Sequence, residues 1–262
     1  MADDTKGDRP RQVTAGGKTV FGAAVGILML DSRFPRIPGD MGNAATWPFP
    51  VLYRTVRGAT PDRVVRQGAE GCLDAFIEAA RDLVEQGADG ITTTCGFLSL
   101  FQAELAAAAG VPVAASSLMQ VPLVQRTLPP GRRVGVITIC QAALSEGHLT
   151  AAGVDADIPV VGTDDGEEFT RAVLDDEPQL DVAAARRDNL AAGRALLAAH
   201  PEVGAVVLEC TNMVPYQADL RRALGLPVYS IYSFVQWFQS GLLPRSFPTD
   251  LPDPRMRDGD PG

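Results

Sequence analysis

An internal repeat constrains this chain more than any other feature. Shifted so that Cys95 falls on Cys210, the sequence lays Phe101-Gln102-Ala103-Glu104-Leu105 on Tyr216-Gln217-Ala218-Asp219-Leu220. The same shift lays Gly110-Val111-Pro112-Val113 on Gly225-Leu226-Pro227-Val228. Each cysteine follows an apolar run and precedes a run of helical spacing. Such a chain folds as two related halves, each presenting one thiol where a strand gives way to a helix.

The rest of the chain continues this alternation. Apolar runs predict strands over 23–30, 90–93, 111–114, 133–139, 158–161, 203–208 and 227–230. Helical periodicity predicts helices over 69–86, 98–109, 118–128, 141–152, 182–200, 215–224 and 231–242. Continuous apolar strands alternating with helices indicate an α/β fold whose parallel sheets are covered on both faces. Ligands bind such sheets at the carboxyl ends of the strands, where both cysteines fall. The first half-domain spans 18–130 and holds Cys95. The second spans 131–230 and holds Cys210, after which the chain is free to return to the first. Residues 1–17 and 248–262, rich in Asp, Arg, Pro and Gly, are expected to be disordered tails. Residues 32–60 break the alternation with Pro35, Pro38, Pro48 and Pro50. That segment reads equally as a lid or pocket wall and as a surface insertion packed through Trp47 and Phe49.

Several chemistries are excluded. A net charge of −9 argues against a nucleic-acid partner, since phosphate binding needs clustered cations. No apolar run is long enough to span a bilayer, and residues 1–17 lack a signal-like apolar stretch, so a cytoplasmic protein is expected. There is no GxGxxG fingerprint, Walker A loop or GxSxG elbow. His148 and His200 are the two histidines, both in helical stretches, so no metal site is expected. Four cysteines without a CxxC pair read as reduced thiols. Catalysis without a cofactor is the simplest account.

The two junctions carry the chemistry. Thr92-Thr93-Thr94-Cys95-Gly96 ends one strand, and Glu209-Cys210-Thr211-Asn212 ends the other. A thiol before a helix is eased towards its anion by the free N–H groups there. A lone cysteine in such a place is usually a small buried hydrophobe. Two at symmetric positions instead suit an acid/base pair, one removing a proton and the other returning one. Thr94, Gly96, Thr211 and Asn212 surround them, the side chains offering hydroxyl and amide donors. Asp31 and Ser32 follow the first strand and read equally as substrate contacts and as turn caps. Arg33 or Arg36 could meet a carboxylate, although a solvated arginine is the commoner state. Thr138 ends the matching strand of the second half and is expected to donate to the same ligand. Ser116, Ser117 and Tyr232 follow the short strands and could line the pocket. Cys72 and Cys140 read as packing.

At these residues the chain resembles the aspartate/glutamate racemase superfamily, which includes amino-acid, hydantoin and allantoin racemases, maleate isomerases and arylmalonate decarboxylases. The resemblance spans residues 20–242. It rests on the two strand-end cysteines, the Cys210-Thr211 pair, the Asp31-Ser32 pair and the symmetric halves. It implies two pseudo-symmetric Rossmann-like half-domains with the active site in the cleft between them. It also implies that Cys95 and Cys210 are the acid/base thiols, and it is compatible with a homodimer. The pattern departs from amino-acid racemases in two places. Cys95-Gly96-Phe97 stands where they carry Cys-Asn-Thr, and Cys210-Thr211-Asn212 where glutamate racemases carry Cys-Thr-His. The function this implies is a cofactor-independent racemase or epimerase. It would act at the carbon alpha to a carboxylate or amide, on an amino acid or related small acid. Decarboxylation, cis-trans isomerisation or cyclisation on the same fold are the alternatives, and a small-ligand binding protein is the rival from another class.

Overall fold

The computed structural model describes residues 14–247; the tail segments 1–13 and 248–262 lie outside the described residues. Two parallel four-stranded sheets form its frame. The first contains β1 (Val25–Leu30), β2 (Val51–Val56), β3 (Gly90–Thr93) and β4 (Val113–Ala114) in the order β2-β1-β3-β4. Packed on it are α1 (Pro61–Val65), α2 (Leu73–Gln86) and α3 (Gln102–Ala109), while α4 (Val121–Thr127) crosses to the second sheet, where Val121 and Val124 meet Val134 and Val136. The second contains β5 (Arg133–Thr138), β6 (Val160–Gly162), β7 (Val203–Leu208) and β8 (Val228–Tyr229) in the equivalent order β6-β5-β7-β8. Packed on it are α5 (Glu146–Ala151), α6 (Phe169–Leu174), α7 (Val182–Ala199) and α8 (Gln217–Leu224), while α9 (Ile231–Leu242) returns to the first sheet.

The repeat is visible in detail. A 3-10 turn follows each junction cysteine, Gly96–Phe101 and Thr211–Tyr216, and each leads into α3 or α8. Both helices end on a left-handed glycine, Gly110 at φ 68° and Gly225 at φ 69°, where a β-carbon would be strained. Gln102 donates to the Val113 carbonyl at 3.0 Å and Gln217 to the Val228 carbonyl at 2.7 Å. The same glutamine ties each helix to the short strand after it.

Several elements depart from the pattern read in the sequence, among them α1 and α6, which the periodicity did not predict. Residues 32–60 are not all loop, because Val51–Val56 pairs in parallel with β1 from Val25↔Val51 to Leu30↔Val56. This edge strand exposes Arg54 and Thr55, so it lacks the unbroken apolar run of the buried strands. The helix expected over 69–86 begins at Leu73, since Ala69 and Gly71 hold φ of 57° and 68°. The helix expected over 141–152 is confined to Glu146–Ala151, where Ser145 and His148 form a reciprocal cap.

Packing joins the parts. Phe76, Leu83 and Ile91 are buried between α2 and the first sheet. The opposite face of β1 carries Val25 and Ile27, which pack against Trp47 and against Ile231, Phe234 and Val235 of α9. Trp47 stacks between Phe49 and Tyr232, with ring centroids 5.7 and 5.5 Å away. Further along α9, Phe238 and Leu242 close on Gly90, where a β-carbon would lie within 2.7 Å of both. Among the described residues no helix is long and apolar enough to cross a membrane.

Candidate active site

Ladder hydrogen bonds bring each cysteine to the carboxyl edge of its sheet and then stop. The Thr94 N–H donates to the Leu28 carbonyl at 3.0 Å, and the Glu209 N–H to the Ile137 carbonyl at 2.8 Å. Cys95 and Cys210 follow in extended backbone and open the two 3-10 turns. The junctions touch: the Thr211 hydroxyl donates to the Thr94 carbonyl at 2.7 Å. Gly96 lies so close to the second junction that a β-carbon there would overlap Glu209 Oε1 and sit 2.5 Å from the Glu209 carbonyl oxygen. All four cysteines are free thiols.

A small cavity of about 20 Å³ lies where the halves meet. Cys95 and Cys210 line it together, with Thr94, Gly96 and Asn212 beside them. Phe34, Phe97, Ile139, Val173 and Leu174 make its apolar walls. Both thiols are buried, at 7% and 6% exposure, yet both face this space. Burial, and then the nearby Glu209 carboxylate, push each thiol upward from its ordinary value. Against that rise the backbone N–H groups of Phe97 and Leu98, and the charge of Arg36, favour the Cys95 thiolate. Cys210 has a single opposing N–H, from Asn212, and its S–H donates to Asn212 Oδ1 at 3.5 Å. Cys95 is therefore the easier of the two to ionise.

The segment after β1 forms a wall of the cavity. The Arg33 and Phe34 N–H groups donate to Asp176 Oδ1 at 2.5 and 3.1 Å, pinning it to the second half. Arg36 reaches the cavity, stacks 4.3 Å over the Phe34 ring, and donates to Asp40 at 3.0 Å and Ser32 at 2.8 Å. These contacts use two of its five N–H donors. Asp40, 2% exposed, also accepts from Asn212 Nδ2 at 2.6 Å. A polar chain thus runs from Arg36 through Asp40 and Asn212 to the Cys210 thiol.

The structure places four residues expected at the ligand elsewhere. Asp31 accepts from the Gly58 N–H at 3.0 Å and from Arg57 at 3.3 Å, acting as a turn cap. The Ser32 hydroxyl accepts from Arg36 and does not line the cavity. Thr138 is fully buried and donates to Glu209 Oε2 at 2.8 Å. The Thr211 hydroxyl is spent on the Thr94 carbonyl. Ser117 likewise donates to the Leu208 and Glu209 carbonyls at 2.6 and 3.0 Å. Arg33 points to solvent, with a side chain 79% exposed.

Glu209, Arg36 and Asp40 are the polar residues to which sequence reasoning assigned no firm place. The available signal for Glu209 was an acid set between the apolar run 203–208 and a junction cysteine. Burial pushes its carboxyl up to about 7, against hydrogen bonds from Thr138 and the Ile139 N–H that hold it down. The folded chain therefore binds this proton more tightly than the unfolded chain does at its ordinary 4.5. The resulting stabilisation is complete below pH 4.5 and is lost as pH rises through 7, about 3 kcal/mol in all. Denaturant melts of the parent and of Glu209→Gln at pH 4 and pH 8 check this. The parent should lose that amount relative to the variant across the interval.

Compared with known protein-family profiles, the chain matches none. It is 31% identical over 230 residues to a dimethylsulfoniopropionate lyase of Durusdinium sp. clade D, covering 84% of this chain and 75% of that protein. It is 30% identical over 232 residues to dimethylsulfoniopropionate lyase 5 of Emiliania huxleyi (strain CCMP1516), covering 83% of this chain and 45% of that longer protein. In fold it is similar to a glycine-to-cysteine mutant of arylmalonate decarboxylase in a sulfate-associated form, with a TM-score of 0.57 and 18% identity over 83% of this chain and 92% of that one. A glutamate racemase of Bacillus anthracis superposes with a TM-score of 0.56 at 15% identity, over 84% of this chain and 81% of that one. The sequence relatives are named for a lyase activity, which fits in part the expectation of another same-fold reaction on a small carboxylic acid and does not bear on racemisation. The chain belongs to the dimethylsulfoniopropionate lyase family of enzymes, built on the fold of the aspartate/glutamate/hydantoin racemases.

Proposed function

We propose that the chain is a lyase that splits dimethylsulfoniopropionate, a small acid bearing a sulfonium group, into dimethyl sulfide and acrylate. The observation that carries this reading is a single cavity in which two thiols, an arginine and apolar walls meet, in a chain 31% identical to such a lyase. The substrate carboxylate meets the N–H donors that Arg36 has left. The Cys95 thiolate takes a proton from the carbon next to that carboxylate. The electron pair of this C–H bond becomes the double bond of acrylate. The C–S bond breaks with its pair going to sulfur, which departs as neutral dimethyl sulfide and needs no proton. The Cys210 S–H turns from Asn212 to the carboxylate oxygen on which charge gathers. No redox partner enters this balance.

The assay is direct. The purified chain with dimethylsulfoniopropionate should release dimethyl sulfide and acrylate in equal amounts, read from headspace gas and by chromatography. An intact substrate after long incubation overturns the reading. Racemisation remains the second reading, because two thiols from symmetric junctions suit proton delivery to opposite faces of one carbon. Under it, aspartate, glutamate or allantoin would lose optical activity while taking up deuterium from heavy water.

Arg36→Met tests the carboxylate anchor. Loss of a charge-assisted pair predicts a KM about 10- to 100-fold higher, with a smaller change in kcat. Arg36→Lys should recover part of it, which separates a lost anchor from a collapsed wall.

A further inference from the structure

Glu209 lines the cavity, and its carboxylate has no role in the elimination described above. Glu209 Oε2 is held by the Thr138 hydroxyl at 2.8 Å, while among the described residues Oε1 has no hydrogen-bond partner. The residue is 1% exposed. No Lys, Arg or His is paired with it among the described residues, and the cation on the cavity wall, Arg36, is engaged with Asp40. A buried acceptor without a donor is costly unless a ligand completes it. Its neighbours Phe97, Ile139 and Val173 are apolar. Once its proton is released, Glu209 is an anionic point in a greasy pocket, suited to a cation that has no N–H or O–H to donate.

We propose that Glu209 selects substrates bearing an onium group, sulfonium or quaternary ammonium, opposite their carboxylate, by taking that charge against its free oxygen. The inference rests on the elimination reading for the carboxylate end at Arg36 and adds what holds the other end. Methyl groups on the onium centre fill the apolar walls, and its charge meets Glu209 across a short low-dielectric gap. The bound cation also offsets the Glu209 charge that pushes both thiols up. Substrate binding thus eases formation of the Cys95 thiolate.

Two isosteres test the charge apart from dimethyl sulfide release: 3-(trimethylammonio)propanoate, whose amine leaves less readily, and 4,4-dimethylpentanoate, its carbon counterpart with a neutral tert-butyl end. Calorimetry on the parent should show the ammonium compound binding about 10- to 100-fold more tightly than the neutral one. In Glu209→Gln the preference should vanish while the neutral compound binds within about threefold of its parent value. A parent without preference, or a variant that keeps it, overturns the proposal. Should the variant not fold, a crystal structure of the parent with the ammonium compound decides. Its nitrogen is expected within about 5 Å of the Glu209 carboxylate, and placement of that nitrogen elsewhere overturns the proposal. None of these readouts needs dimethyl sulfide release, so failure here and failure of the lyase reading are told apart.

Discussion

Serine in place of Cys95 or Cys210 is expected to lower the turnover of dimethylsulfoniopropionate by about 10²- to 10⁴-fold with the fold retained. A hydroxyl is nearly the size of a thiol but a far weaker acid, and both sites are buried. Even the thiols are pushed up by burial and by Glu209. A buried hydroxyl would hold its proton throughout the accessible pH range. The Cys95 substitution should cost more, since two backbone N–H groups and Arg36 favour the anion there. The Cys210 substitution removes the S–H that steadies charge on the carboxylate. Steady-state kcat, read beside circular dichroism, checks both. Parent-like turnover by either variant would remove that thiol from the mechanism.

Alanine in place of Gly96 is expected to disable the enzyme and weaken the fold together. The added β-carbon would overlap Glu209 Oε1 and lie 2.5 Å from the Glu209 carbonyl oxygen. A carboxylate tip can swing aside, but the carbonyl cannot. It accepts from Ser117 at 3.0 Å, and the Glu209 N–H is committed to the Ile137 carbonyl. Relief requires Gly96–Phe101 to move away from the end of β7, which strains the Thr211 bond to the Thr94 carbonyl and parts the thiols. Overpacking of this kind costs about 1–3 kcal/mol. Misplacement of the base by 1 Å costs about 10²-fold in rate. Thermal melts and kcat measured on the same preparation check the pair of effects. A variant of parent stability would mean that the two junctions do not meet as described.

How far the sequence reached differs between the cysteines and the wall around them. Cys95 and Cys210 could be found because the repeat places each in the same local frame of apolar run, thiol and helical run. Gly96, Thr94 and Asn212 followed as their neighbours in the chain. Asp31, Ser32, Thr138 and Thr211 sit at the same strand ends, yet their oxygens are used within the protein. Position at a strand end says which edge of a sheet a residue occupies, and not whether its side chain faces the cavity or a neighbouring carbonyl. β2 escaped because an edge strand with one solvated side reads like loop sequence.

Strand and helix periods, the symmetric halves and the paired thiols were available from the order of residues alone, since each is a local pattern that recurs along the chain. The meeting of Arg36 and Asp40 with Asn212, the unpartnered oxygen of Glu209 and the cavity they border came only from the folded molecule. Those contacts join segments more than a hundred residues apart, at a seam where two sheets pack, and such packing leaves no periodic trace in either segment.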